Sequence, residues 1–151
     1  MARYSVRVST WTEQTLETLR AEGLRSGGAR SAVVEVLGRQ TCCLTAQELF
    51  DRLRAEGRTV GIATVYRVLD LLTAKGLVQR IDLGEGIARY EPADAGGEHH
   101  HHLLCDGCGK VEAFADAELE RTLRRVERRT GYAVAGHDVV LRGACSDCRA
   151  A

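Results

Sequence analysis

Two Cys-x-x-Cys pairs, Cys105/Cys108 and Cys145/Cys148, constrain this chain more than any other feature. Each pair can set two sulfurs on one tight turn, and four thiolates complete the closed tetrahedron that Zn2+ takes in structural sites. The 36 residues between the pairs exceed the roughly 15 to 20 of a simple zinc ribbon, so a whole supersecondary unit has to lie between them. The sequence supplies a strand near residues 110–114, a helix over 116–130 with Leu119, Leu123 and Val126 inward, and a strand near 132–141. A pair of disulfides or a redox-active dithiol is the competing reading. It depends on compartment: the N-terminal segment MARYSVRVSTWTEQT has no apolar secretion core, and no run of about 18 apolar residues spans a membrane. A cytoplasmic location follows as the expectation, and there cysteines serve as metal ligands or reactive thiols rather than disulfides.

The same residue types divide the chain. Residues 1–92 carry 13 Lys+Arg, 11 Asp+Glu, no His and two adjacent cysteines, Cys42 and Cys43; residues 93–151 carry 8 Lys+Arg, 10 Asp+Glu, all five His and four Cys. Pro92, the only proline, opens the small, polar stretch PADAGGE, which reads as a linker. The expected organisation is a domain over 1–91, a hinge over 92–98 and a second domain over 99–151. The balance of 21 Lys+Arg against 21 Asp+Glu argues against a wholly basic nucleic-acid coat but says nothing of local charge.

In the first half, Thr10-Trp11-Thr12-Glu13 has capping-box spacing before a helix to about Glu22, and a second helical run follows Arg30. Thr45-Ala46-Gln47-Glu48 is another capping box, after which Ala46, Leu49, Phe50 and Leu53 recur at helical spacing. A fourth helix carries Ile62, Val65, Val68, Leu69 and Leu72 inward, and two short strands, 77–82 and 87–91, join through Gly84-Glu85-Gly86. Helices followed by a hairpin describe the winged variant of helix-turn-helix, whose last helix before the hairpin enters the major groove. The overall class is α+β: an N-terminal winged helix followed by a small α/β domain.

Packing the apolar face of that helix inward turns Thr64, Tyr66 and Arg67 outward. Arg67 suits a phosphate or a guanine edge, and Tyr66 a thymine methyl or a phosphate. Arg25 and Arg30, flanking the loop before the second helix, suit the minor groove or the backbone. An ordinary solvated helix face would look the same at the level of pattern.

The run His99 to His102 leads into Leu103-Leu104-Cys105 and reads as a strand. Alternate residues of a strand face opposite sides, so His99 and His101 point one way and His100 and His102 the other. One short tract can then serve two sites. A tag remnant or a loosely metal-binding His-rich loop are the plainer readings.

Together these segments resemble the ferric uptake regulator family of metal-dependent repressors, and the zinc-uptake type in particular. The resemblance rests on Gly61-Ile-Ala-Thr-Val-Tyr-Arg-Val-Leu69, on HHHHLLCDGCGKVEAF, on Gly136-His137 and on the terminal CSDC, in order and over nearly the whole chain. It implies a homodimer that binds operator DNA when its regulatory site is loaded. The implied hinge site comprises His100, His102, Glu91 and, from the loop before the third helix, Cys43 where the family usually has histidine. Asp94 is the substitute ligand. A second implied site comprises His99, His101, Glu120 and His137. A sulfur ligand favours Zn2+ over Fe2+ at the hinge, and an iron- or peroxide-sensing repressor of the same family is the alternative. The family commonly has a proline before the equivalent of Arg30; here Gly27 and Gly28 predict a more mobile loop. No H-E-x-x-H, and no H-x-E followed by P-C-x-x-C, is present to suggest a zinc hydrolase or deaminase acting on a small organic substrate. A metal-storage role would leave the winged helix without a purpose.

Overall fold

The computed structural model describes residues 4–24, 27–93 and 99–150. Two compact units divide the chain at Gly97/Glu98. The first holds α1 (Tyr4–Ala21), α2 (Gly28–Gly38), β1 (Leu44–Thr45), α3 (Ala46–Ala55), α4 (Ile62–Ala74), β2 (Val78–Asp82) and β3 (Ala88–Pro92). The second holds β4 (His101–Cys105), β5 (Val111–Phe114), α5 (Ala117–Thr130), β6 (Val140–Gly143) and α6 (Ser146–Ala150).

The apolar faces read from the sequence build the core of the first unit. Leu19, Val33, Val34, Leu37, Leu49, Leu53, Val65, Leu69 and Leu72 are fully buried in one cluster that Tyr90 joins from β3. The capping box at α3 forms in full: the Thr45 hydroxyl accepts from the Glu48 amide at 3.1 Å, and the Glu48 carboxylate accepts from the Thr45 amide at 2.8 Å. The Trp11 indole N–H donates to the Leu77 carbonyl at 3.1 Å, tying α1 to the turn between α4 and the wing.

The wing is the antiparallel pair β2–β3, with Val78 opposite Pro92 and Asp82 opposite Ala88. Gly84 and Gly86 take φ of +84° and +73° in its turn, the left-handed values that glycine adopts without steric cost. β1, a two-residue strand with no periodic signature of its own, adds to the other side of β3, with Leu44 opposite Tyr90 and Thr45 opposite Arg89. Arg89 is buried and pairs with Glu85 at 2.9 Å and Glu48 at 3.3 Å, so the wing and the start of α3 share one ion-pair network.

In the second unit β4 is central, antiparallel to β5 and parallel to β6. Asp116 caps α5 by accepting from the amides of Glu118 and Leu119 at 2.9 and 2.8 Å.

Several local expectations change. α1 starts at Tyr4, so Thr10 lies inside the helix; the i, i+3 spacing of a capping box also occurs within a continuing helix, and neither glycine nor proline interrupts Tyr4 to Ser9. α2 starts at Gly28, with Gly27 as an extended N-cap, so the glycines open the helix and Arg30 sits half-buried in its first turn rather than in a loop. The last strand is only Val140–Gly143, because its length is set by parallel pairing with β4, from His102 opposite Val140 to Cys105 opposite Gly143. Val126 is 40% exposed, and no residue of α5 is buried. Pro92 is the last residue of β3. Arg25 and Asp94 lie outside the described residues.

Candidate metal centres

The four cysteines converge as the spacing requires. β4 delivers Cys105, a turn delivers Cys108, and the start of α6 delivers Cys145 and Cys148. All four sulfurs lie within 4.8 Å of one another, none is in a disulfide, and Cys108 Sγ is 3.8 Å from Cys145 Sγ. Zinc–sulfur bonds of about 2.3 Å in a tetrahedron have an edge of about 3.8 Å, so the cage fits Zn2+.

Two local features allow this approach. The Asp106 amide donates to the Gly143 carbonyl at 2.7 Å, holding the first turn against the end of β6. At Gly107, a Cβ would stand 3.1 Å from Cys148 Sγ, so any larger residue would press on the second knuckle.

Electrostatics prepare one sulfur. The Cys145 and Cys108 amides donate to Cys105 and bring its thiol down to about 6, with the Cys145 N–H at 3.3 Å. The surrounding thiols push Cys148 up to about 12, Cys105 first among them. Four thiolates at this spacing repel one another strongly, so the remaining protons leave when a cation arrives.

The second centre gathers His99, His101, Glu120 and His137, with ligand atoms again within 4.8 Å of one another. His101 Nε2 lies 2.7 Å and His137 Nε2 3.2 Å from Glu120 Oε1. The His99 ring centroid is 4.5 Å from those of both His101 and His137. His101, only 1% exposed, keeps a buried Nδ1 with no hydrogen-bond partner among the described residues. Its hydrogen bond, then that of His137, draws the Glu120 carboxyl below its ordinary value. Burial, followed by the neighbouring imidazoles of His101 and His137, lowers His99. Three imidazoles and a carboxylate form a donor set suited to Zn2+, Fe2+ or Mn2+.

The expected hinge ligands divide between the units, Cys43 and Glu91 in the first and His100 and His102 in the second. Continuing the β1–β3 register by one residue beyond Leu44–Tyr90 sets Cys43 opposite Glu91. The Cys43 thiol is pushed far above its ordinary value, first by its hydrogen bond with Cys42, then by burial, with further contributions from the charges of Cys42 and Glu91. His100 and His102 pair with ring centroids 5.0 Å apart. His99 packs instead with His101 and His137, so the histidine run splits into two sets as strand alternation requires.

The outward face of α4 also matches its pattern. Tyr66 is 49% exposed, Arg67 and Asp70 are exposed, and Thr64 is half-buried, while Val65, Val68, Leu69 and Leu72 face the core. Sequence reasoning missed the roles of Gly107 and Arg89. A glycine inside a Cys-x-x-Cys pair was the available signal for the first; the Arg89–Glu48 pair spans 41 residues and left none.

Comparison with known proteins places these features in a wider set. The sequence profile described as the Ferric uptake regulator family matches residues 21–142. The Ferric uptake regulation protein of Neisseria gonorrhoeae is 33% identical over 133 residues, 87% of this chain and 91% of that protein. The Zinc uptake regulation protein of Mycobacterium tuberculosis is 36% identical over 130 residues, 85% of this chain and 98% of that protein. Among solved structures, the Helicobacter pylori ferric uptake regulator, described as having three functional metal-binding sites, superposes with a TM-score of 0.78 at 28% identity, covering 94% of this chain and 93% of that one.

Proposed function

The chain belongs to the ferric uptake regulator family of metal-responsive regulators, and from that premise we propose that it is a zinc-responsive transcriptional repressor that binds operator DNA as a homodimer in the cytoplasm. In this reading residues 1–91 bind DNA through α4, with Tyr66 and Arg67 reaching the major groove, Thr64 beside them, and Arg30 and Arg25 near the backbone. Residues 92–98 act as the hinge, and residues 99–151 bind metal and dimerise. The exposed apolar side chains Leu103, Val126, Tyr132, Val134 and Leu141 support an interface with a second copy. No enzymatic role is assigned.

Cys105, Cys108, Cys145 and Cys148 hold structural Zn2+, and His99, His101, Glu120 and His137 form a second site. Cys43, Glu91, His100 and His102 form the regulatory site. The observation that carries the reading is the β1–β3 register that sets Cys43 opposite Glu91 at the root of the wing. A metal held there and by the histidines would couple occupancy to the arrangement of the DNA-binding unit. A ligand shifts such an equilibrium only by its differential affinity for the two arrangements, which ligands drawn from both units provide.

Fluorescence anisotropy of a palindromic operator, titrated with and without free Zn2+, tests the reading. Tighter binding with Zn2+ is expected; equal affinity would remove the switch. Iron or peroxide sensing is the second reading, supported by the name of the Neisseria gonorrhoeae relative. A selective preference for Fe2+ over Zn2+ at the regulatory site, measured anaerobically, would favour it.

A further inference from the structure

Cys42 has no role in the site as proposed, yet it stands beside a residue that has one. In extended chain, adjacent side chains point to opposite faces. Here the backbone bends at Cys42 just before β1, and the sulfurs of Cys42 and Cys43 converge to 3.9 Å. That separation nearly equals the 3.8 Å between Cys108 and Cys145 in the zinc-fitting cage of the same molecule. It matches the edge of about 3.8 Å that a tetrahedral Zn2+ with sulfur ligands requires.

A disulfide between the two is the poorer alternative. Consecutive Cα atoms across a trans peptide are about 3.8 Å apart, shorter than the span of about 4.4 to 6.8 Å that disulfides ordinarily bridge. The peptide bond here is trans. Cys42 is half-exposed and Cys43 buried, so an ion could be taken up from the Cys42 side and passed inward. The β1–β3 register sets Glu91 opposite Cys43, and its charge acts on the Cys43 thiol.

We propose that Cys42 and Cys43 together form a bidentate dithiolate, so that the regulatory ion is held by two sulfurs of the N-terminal unit and the site selects thiophilic divalent ions, Zn2+ and Cd2+, over Fe2+. The inference rests on the hinge site proposed above and deepens it. Binding is a proton-for-metal exchange with no redox change: two S–H bonds break, two metal–sulfur bonds form, and two protons pass to solvent. Sulfur donors favour softer ions, which gives the discrimination against Fe2+ its physical basis.

Anaerobic titration of the full-length protein, its four-cysteine cage filled with Zn2+, with Co2+ tests this through the sulfur-to-cobalt charge-transfer band. Two thiolates predict a band per regulatory ion about half that of the four-cysteine cage fully loaded with Co2+, because the intensity counts bound sulfurs. Cys42→Ser should halve the band, as should Cys43→Ser, and should weaken Cd2+ binding by about tenfold or more while leaving Fe2+ binding nearly unchanged. A wild-type band near one quarter of the cage value, or a band unchanged in Cys42→Ser, would overturn the dithiolate and leave the one-sulfur hinge intact. Absence of any band in the wild-type protein, together with metal-independent operator binding, would overturn the hinge site as well. The wild-type ratio needs no variant, so a folding defect in Cys42→Ser would not obscure the answer.

Discussion

The two units are stabilised by different means. The first buries a continuous apolar cluster from four helices and a wing. The second buries Leu104, Cys105, His101 and His102 among its described residues and nothing from α5. A unit this small has too little apolar surface to support itself, and metal or a partner commonly supplies the remainder. On the proposed reading, its ligand-bearing side chains would take the place that leucines have in the first unit. One half has an apolar core of its own, and the other would draw stability from the ions it is proposed to hold.

Removing metal should break that contrast most severely. Chelation of zinc from the four-cysteine cage, or Cys105→Ser, should unfold the second unit and leave the first helical, because structural zinc contributes on the order of 10 kcal/mol or more to folding. Loss of dispersed amide resonances confined to residues 99–150, recorded on the full chain, is the expected result. Retention of those resonances would mean that the second unit has a core of its own. The converse variant, Leu69→Ala, should cost the first unit about 2–5 kcal/mol in denaturant titration without changing the number of zinc ions bound.

Proton counting sharpens the comparison. Cys105 sits at about 6, below its ordinary value, and Cys148 at about 12, above it. In the metal-free protein the Cys105 contribution to stability is fully present above the ordinary thiol value and is lost as pH falls from there through about 6. The Cys148 contribution has the opposite sign, present below the ordinary thiol value and lost as pH rises toward about 12. If the second unit is unfolded without metal, zinc uptake by the cage should release about four protons near pH 7.5, because thiols at their ordinary value are protonated there. Calorimetry in buffers of different ionisation enthalpy measures this, and a release of about three would show that the unit stays folded without metal with Cys105 already ionised.

Two smaller effects separate the units further. Gly107→Ala should weaken zinc retention by the cage in competition with a chelator, since the added Cβ would meet Cys148 Sγ at 3.1 Å. Thr45→Ala should cost the first unit about 1 kcal/mol by removing the α3 cap and leave zinc retention unchanged.

The same contrast explains what could be read from sequence. Helix positions in the first unit were legible because Val65, Leu69 and Leu72 repeat at helical spacing to fill a core. Both Cys-x-x-Cys pairs and the alternation of His99 to His102 were legible because ligand chemistry restricts residue type and spacing. The missed features depend on partners distant in sequence. β1 exists only because β3 lies beside it, the last strand is limited by its pairing with β4, and Arg89 is buried because Glu48 and Glu85 meet it. The start of α1 was misplaced because capping-box spacing also occurs inside helices. Cys42 was visible as a cysteine, but only the bend before β1 brings its sulfur to that of Cys43.

The central claim is that one regulatory ion draws ligands from both units. The most direct measurement is the zinc dependence of operator affinity in Glu91→Gln and His102→Ala, compared with wild type at equal zinc content of the four-cysteine cage. The account predicts that each substitution alone abolishes the zinc response while leaving the metal-free affinity unchanged. A zinc response that persists in Glu91→Gln and in Cys43→Ser but disappears in His102→Ala would confine the regulatory site to the second unit and contradict it.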